Sequence, residues 1–254
     1  LAEAAVRFAL EKEKELSELK SRFWSMVVHE FRSPMTSILS SAQFLEHHGH
    51  QLPEERKREY LYLIQDSVRS MNQLLNDILS VTQAESGSLK FNPKPLNLEQ
   101  FCRELVEEMQ FSTGQNHRII FSFQGNCTNT CLDKKLLWHV LTNLLSNAIK
   151  YSPQGGSIYL ELLCPNGEIT LKIRDTGIGI PIDDQDHLFK PFHRAENVGN
   201  IPGTGLGLTM VRKCLDLHGG QIGLESKVGV GTTFTIKLQS SNRVNQISNP
   251  VTNQ

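Results

Sequence analysis

No window of this sequence approaches the roughly 18 unbroken apolar residues of a membrane span, and no stretch reads as a signal peptide. An excess of either charge is lacking too. The chain has 26 Lys and Arg against 27 Asp and Glu, a formal net charge of −1. Such a chain as a whole exerts no pull on nucleic acid or on an anionic membrane. Cysteine is scarce: five residues, scattered and odd in number. That usage reads as a reducing compartment, and hence a cytoplasmic protein. Cys127 and Cys131 are close, but one such pair without a second is weak ground for a metal site or a disulfide. What remains is 39% apolar in 254 residues, enough for one large domain or two ordinary ones. The opening "LAEAAVRFALEKEKELSELK" reads as the middle of a helix. It points to a piece of a longer protein, with the preceding part unknown.

The apolar residues Leu16, Leu19, Phe23 and Met26 fall in a three-four alternation, which predicts a helix with a coiled-coil seam. Val6 and Leu10 are out of that phase. A wider stripe continues through Val27, Phe31, Met35, Ile38, Ala42 and Leu45. "HHGHQLPEE" ends it, with Gly49 suited to a left-handed helix end and Pro53 to the first turn of a new helix. A second seam runs through Leu61, Ile64, Val68, Met71, Leu75 and Ile78. Two such helices make a hairpin with one apolar seam each. A hairpin that small needs a partner to complete a core, so the expectation is a dimeric four-helix bundle.

"ESGSLKFNPKP" breaks the pattern and marks a boundary. Beyond it come a helix with Asn97 as N-cap and Gln100 placed for a capping box, the strand "RIIFSF", and a helix capped by Asp133. A hairpin follows across "CPNG", then a glycine-rich helix entry, then the strands "QIGLES" and "TTFTIKL". This mixture predicts a two-layer α/β sandwich. The expected organisation is a linker helix over 1–20, a helical domain over 21–90, an α/β domain over 91–240 and a polar, disordered tail over 241–254.

The chemistry begins at "HEFRSP", residues 29–34. At about 100° per residue, His29 lies roughly 160° from the middle of the apolar stripe, on the outer face of its helix. A lone histidine there is ordinarily a solvated surface residue. Its neighbours change the reading. Glu30 can accept a hydrogen bond from one ring nitrogen and raise the nucleophilicity of the other. Arg32 adds a cation, and Pro34 weakens the backbone ladder where a bend would be useful.

In the second domain, "NLLSNAIKYS" puts Asn143, Asn147 and Lys150 at four- and three-residue spacing on one helix face. An amide oxygen is a hard ligand suited to Mg²⁺, and a lysine can reach a phosphate. A polar solvent face explains the same spacing equally well. "RDTGIGIP" ends a strand with Asp175 and continues through Gly177 and Gly179. A carboxylate there would accept from the amino group of adenine and repel the carbonyl of guanine; an ordinary capping Asp is the plainer alternative. "GTGLGL" contains Gly203, Thr204, Gly205, Leu206 and Gly207 at a helix start, where backbone amides suit phosphate. It fits neither the P-loop pattern nor the dinucleotide fingerprint. About 20 residues with turn signals, including "LFKPFHR", separate the two glycine boxes and form a candidate lid.

Taken in order, these boxes resemble those of sensor histidine kinases over about residues 20–240. "HEFRSP" is similar to the family's phosphoacceptor box and "NLLSNAIKYSP" to its asparagine box. "DTGIGI" and "GTGLGL" resemble its glycine boxes, and "LFKPFHR" its phenylalanine box. The resemblance implies that His29 is phosphorylated from ATP and that Glu30 takes its proton. It implies that Asn147 binds Mg²⁺ with Asn143 in support, that Lys150 contacts phosphate, and that Tyr151 lies against adenine. Asp175 would read the adenine amine, Gly177 and Gly179 would make room for the nucleotide, and the stretch from Gly203 to Gly207 would line the phosphate side. Related ATPases that hydrolyse ATP carry a glutamate base at the position of Asn143, so the resemblance favours transfer over hydrolysis. Members with phosphatase activity carry Thr or Asn where this chain has Ser33, whose hydroxyl could still orient a water. The implied partners are a second copy of the chain, a response-regulator receiver domain, and a sensor domain upstream. Two other classes compete: an ATP-binding scaffold that signals by shape, and a chaperone- or topoisomerase-like ATPase module.

Overall fold

A computed structural model describes residues 2–85, 89–113, 116–127, 130–165, 167–199, 201 and 203–239. The polar tail over 241–254 and the centre of the expected boundary, 86–88, lie outside the described residues. So do the side chains of Leu16, Leu19, Phe23 and Met26. The chain divides into two compact units: the first takes in the residues up to Leu79 together with Gly203 and Thr204, and the second holds the rest of the described residues.

The first unit is a helical hairpin of α1 (Ala2–His48) and α2 (Glu54–Glu85). Pro34 sits inside α1, and the helix runs on through it. A proline there costs about 3 kcal/mol, because it has no N–H to give the carbonyl four residues back. That carbonyl belongs to Glu30, next to His29. One turn on, Thr36 Oγ1 donates to Arg32 O at 2.8 Å. Gly49 does not take the left-handed conformation expected of it; Gly49–Gln51 instead form a 3-10 turn. The Phe44 and Tyr60 rings pack across the hairpin near this turn, 4.8 Å between centroids. Val27 and Leu74 are buried, yet Met35, Leu39, Leu61, Val68, Leu75 and Leu79 are each 43–58% exposed. A single hairpin therefore leaves much of its apolar seam uncovered.

The second unit is the two-layer α/β sandwich. Its strands are β1 (Lys94–Leu96), β2 (His117–Gly125), β3 (Thr130–Leu132), β4 (Gly156–Cys164), β5 (Glu168–Arg174), β6 (Gln221–Lys227) and β7 (Gly231–Gln239). Its helices are α3 (Leu98–Thr113), α4 (Lys134–Lys150), the short α5 (Ile182–Gln185) and α6 (Gly207–Leu217). The main sheet has the order β2-β4-β5-β7-β6. All its pairs are antiparallel except β2 with β4, which is parallel. Alternate residues face the helices: Ile158, Leu160 and Leu162 on β4, Ile169, Leu171 and Ile173 on β5, Phe234, Ile236 and Leu238 on β7. Against them α4 sets Leu137, Leu141, Leu144 and Leu145, all fully buried. Each such leucine contributes about 1.5–3 kcal/mol through burial. A small second sheet pairs β1 with β3.

Caps read from sequence form locally. Asn97 Oδ1 accepts from Gln100 N at 3.1 Å, but the Gln100 side chain turns to Glu104 rather than completing the box. Asp133 Oδ1 accepts from Lys135 N and Leu136 N at the start of α4. Cys127 is bonded not to nearby Cys131 but to Cys164, with the Cα atoms 6.0 Å apart. Cys102 and Cys214 are free and buried, and burial pushes both thiols up to about 12, which keeps them protonated.

Asp133 also joins three elements at the base of the helix layer. Its Oδ2 accepts from Asn92 N at 2.8 Å, and its own N–H donates to His218 Nε2 at 3.1 Å. His218 Nδ1 then donates to Cys214 O at 2.7 Å. These two bonds leave the ring one neutral tautomer. Burial pushes His218 below the ordinary histidine value, against the Cys214 hydrogen bond and the Asp133 charge; burial lowers His139 likewise. The unfolded chain therefore binds protons first as pH falls, and stability is lost below the unfolded value of about 6.5. Thermal melts should show a midpoint that drops as pH falls through this range. His218→Gln, which keeps an acceptor and a donor, should flatten the slope; an unchanged slope would assign the loss elsewhere.

Candidate functional site

The site in the second unit is assembled from α4, the loop after β5, the segment after α5 and the start of α6. Asn143, Asn147 and Lys150 share the half-buried face of α4. Asn143 Nδ2 donates to His139 O at 2.9 Å, which fixes the amide with its oxygen towards α6. A Cβ at Gly207 would collide with that Oδ1. Glycine at 207 is thus what allows α6 to begin against the asparagine. Lys150 Nζ lies 4.8 Å from the centroid of the Tyr151 ring. Burial raises the Tyr151 phenol, with the Arg194 charge opposing.

Asp175 follows β5 and is 7% exposed. Its Oδ1 accepts from Gly177 N at 2.8 Å and Thr232 N at 3.2 Å. One oxygen is therefore tied to the backbone, and the other makes no hydrogen bond among the described residues. Burial raises its pKa, opposed by those two amides. Ile178 N donates to Tyr151 O at 2.9 Å, so the glycine loop is stitched to the end of α4. A Cβ at Gly177 would run into Tyr151 O, and one at Gly179, where φ is +67°, into Lys227 O. Tyr151, Asp175 and Gly177 thus meet in one place, Gly179 lies against Lys227 and Val228, and Asn143 meets Gly207 elsewhere on α4. Leu206 is fully buried and Gly205 half-buried; Gly203 and Thr204 group with the first unit.

His29 belongs to the first unit and is exposed on α1, in an open groove with Trp24, Ser25, Val28 and Arg32. Ser33 is exposed and Glu30 half-buried. There is no hydrogen bond between the His29 ring and Glu30 among the described residues, because neighbours on a helix point about 100° apart.

These residues fit a magnesium nucleotide. No cluster of three His, Cys, Asp or Glu side chains that could hold a metal exists among the described residues. A cation here would rely on asparagine oxygens and phosphates, which suits Mg²⁺ with its retained waters. Arg194 Nε is buried without a hydrogen-bond partner, and its charge acts on Tyr151. A buried cationic nitrogen of this kind suits an anionic ligand.

The model of the His Kinase A (phospho-acceptor) domain matches residues 19–87. That of the histidine kinase-, DNA gyrase B- and HSP90-like ATPase matches residues 132–242. The chain belongs to the sensor histidine kinases. Its second domain is accordingly an ATP-binding domain. The kinase is 32% identical over 222 residues to the circadian input-output histidine kinase CikA of Synechococcus elongatus, covering 85% of this chain and 29% of that protein. It is 32% identical over 247 residues to the adaptive-response sensory kinase SasA of Microcystis aeruginosa, covering 94% and 64%. The chain spans about a third of the length of the first curated relatives it matches. Among solved structures, the Acinetobacter baumannii histidine kinase AdeS is similar with a TM-score of 0.64 and 25% identity, over 84% of this chain and 98% of that one. The histidine kinase ThkA, solved in complex with the response regulator protein TrrA, shares the fold, with a TM-score of 0.61 and 23% identity over 91% of this chain and 64% of that one. No described helix of the kinase is long and apolar enough to cross a membrane.

Reading along the chain misses three contributors. Thr232 holds Asp175 across 57 residues of sequence. Arg194 reaches the neighbourhood of Tyr151, and Asp184 pairs with His193. None has a local periodicity or spacing to announce it. The one cue is that His193 and Arg194 fall within "LFKPFHR".

Proposed function

We propose that this chain is the catalytic core of a homodimeric kinase that moves the γ-phosphoryl group of ATP to His29 and from there to an aspartate of a response regulator. The single observation that carries the reading is the buried Asp175, fixed by two amides through one oxygen and stitched through its glycine loop to the helix of Asn143 and Asn147. A nitrogen of the exposed His29 ring attacks the γ-phosphorus. The bond to the bridging oxygen breaks, ADP departs, and Glu30 receives the ring proton, directly or through one water. Asn147 would hold Mg²⁺, with Asn143 in support, and the bound cation would supply charge neutralisation at the phosphates. Lys150 contacts phosphate, Tyr151 lies against adenine, and the stretch from Gly203 to Gly207 lines the phosphates. An amide at 143 cannot deprotonate water, which disfavours hydrolysis. The phosphoramidate on His29 is reactive enough to pass its phosphoryl group to a carboxylate, as the pairing of ThkA with a response regulator supports.

The phosphoacceptor and dimerisation domain spans 21–90 and the ATP-binding domain 91–240, with a cytoplasmic location, where ATP is supplied. Sensing belongs to a domain upstream, and Ser33 orients water in any phosphatase reaction. Incubating the protein with γ-labelled ATP and Mg²⁺ should give acid-labile, base-stable label on the chain; a protein that binds ATP but never labels would be a scaffold.

Dimerisation rests on the uncovered seam of the hairpin. Leu75 is 45% exposed within one hairpin. Leu75→Glu leaves that hairpin intact but would bury a carboxylate between two copies, at a cost of several kcal/mol. Sedimentation should find monomers. A full dimer would mean that the seam faces something else.

A further inference from the structure

The segment between the two glycine boxes contains a joint that no assigned function covers. Phe192 has φ +67°, the only positive φ outside glycine among the described residues. A bulky side chain adopts that conformation only where its surroundings impose it. Two sets of bonds do so. On one side, Phe192 N donates to Gly205 O at 3.0 Å. Gly205 itself has φ +66°, and a Cβ there would sit 2.8 Å from the Phe192 carbonyl carbon and 2.9 Å from His193 O. On the other side, the next residue is anchored. His193 Nε2 lies 3.0 Å from Oδ1 of Asp184, which is 8% exposed. Asp184 Oδ2 accepts from Glu196 N at 3.0 Å, so both oxygens of one carboxylate grip the segment on either side of Arg194.

We infer that His193 is a positioning residue for the phosphate side of the nucleotide site. The His193–Asp184 bond holds the Phe192 joint in its left-handed turn, and the joint in turn holds Gly205, two residues before α6 begins against Asn143. His193 acts through Gly205 on bound phosphate; it does not touch the adenine side, where Asp175 and Gly177 are held by Thr232 and Tyr151. Losing the anchor lets the joint relax to an ordinary φ and move Gly205 away, so only part of the population can close on a triphosphate. Apparent affinity for ATP falls by that fraction. Affinity for adenosine, which lacks phosphate, does not.

This inference rests on the nucleotide-site reading above, and one titration series separates the two. The full chain, His193→Phe, His193→Gln and Asp184→Asn are each titrated with ATP·Mg²⁺ and with adenosine. Phenylalanine keeps a ring and removes the donor. Glutamine restores a donor at similar reach. Asparagine at 184 can accept only one of the two bonds. The expected result is ATP binding weakened about tenfold in His193→Phe and Asp184→Asn, adenosine binding within about twofold of the parent, and recovery in His193→Gln. Parent-like ATP binding in His193→Phe overturns the positioning role. Equal losses for ATP and adenosine also overturn it, because they mark a structural defect of the whole domain. A parent that binds neither ligand overturns the nucleotide-site reading itself.

Discussion

His29→Gln should abolish acid-labile labelling from ATP while ATP binding persists. The side chain is exposed on the outer face of α1. Glutamine is a good helix former, and surface changes of this kind shift stability by no more than about 0.5 kcal/mol. The variant therefore tests chemistry rather than folding. Three other histidines are engaged elsewhere. His47 Nδ1 is engaged by Gln43 O at 2.8 Å, and the His48 ring stacks on Phe44 at 4.8 Å. His218 is held at both nitrogens. Phosphorimaging after gel electrophoresis reads the result. Normal labelling of His29→Gln would move the acceptor to another residue.

The second large effect is expected at Asp175. In Asp175→Asn the retained oxygen can still accept from Gly177 N and Thr232 N, so the loop keeps its shape. What changes is the other position, where an acceptor becomes an NH₂ donor. The exocyclic amine of adenine would then face a donor instead of a carboxylate. A hydrogen bond to a charged group is worth about 1.5–3 kcal/mol, so ATP should bind about one to two orders of magnitude more weakly. Asn147→Ala should behave differently: removing a metal ligand should damage phosphoryl transfer, with an effect on binding that depends on Mg²⁺. Calorimetric titrations of both variants, with and without Mg²⁺, separate the roles. ATP binding at the parent level in Asp175→Asn, with GTP still rejected, would remove the adenine-reading role from this carboxylate.

The features legible in the sequence are those written over a few turns or a few residues. The helices α1 and α2, the caps at Asn97 and Asp133, and the β4–β5 hairpin across Pro165 and Gly167 all depend on near neighbours. Fold class followed from these elements and their order. Pairings over long separations were not legible. The parallel register of β2 on β4 and the three-residue strands β1 and β3 depend on contacts that no local pattern encodes. The same holds for the bond from Cys127 to Cys164, 37 residues apart. Gly49 shows the converse: a residue that permits the left-handed conformation need not use it when a 3-10 turn closes the helix instead. At the candidate site, the box residues could be picked out by type and spacing. Their supports could not, because Thr232, Asp184 and His193 act through bonds to distant or irregular backbone.

The parallel pairing of β2 also bears on how the molecule is made. β2 is an edge strand whose one neighbour is β4, and the path between them runs through β3 and α4. A growing polypeptide can form helices as they emerge, but β2 must wait, unpaired, until Cys164 has been synthesised to complete its partner. Long-range parallel pairing of this sort is slow, and the waiting edge is open to other strands. The helix that carries Asn143 and Asn147 spans that interval. A lesion that unwinds α4 would therefore do more than remove ligands for a nucleotide: it would leave the sheet without its first strand, and the damage would show in newly made chains as aggregation before it showed in any assay of the finished kinase.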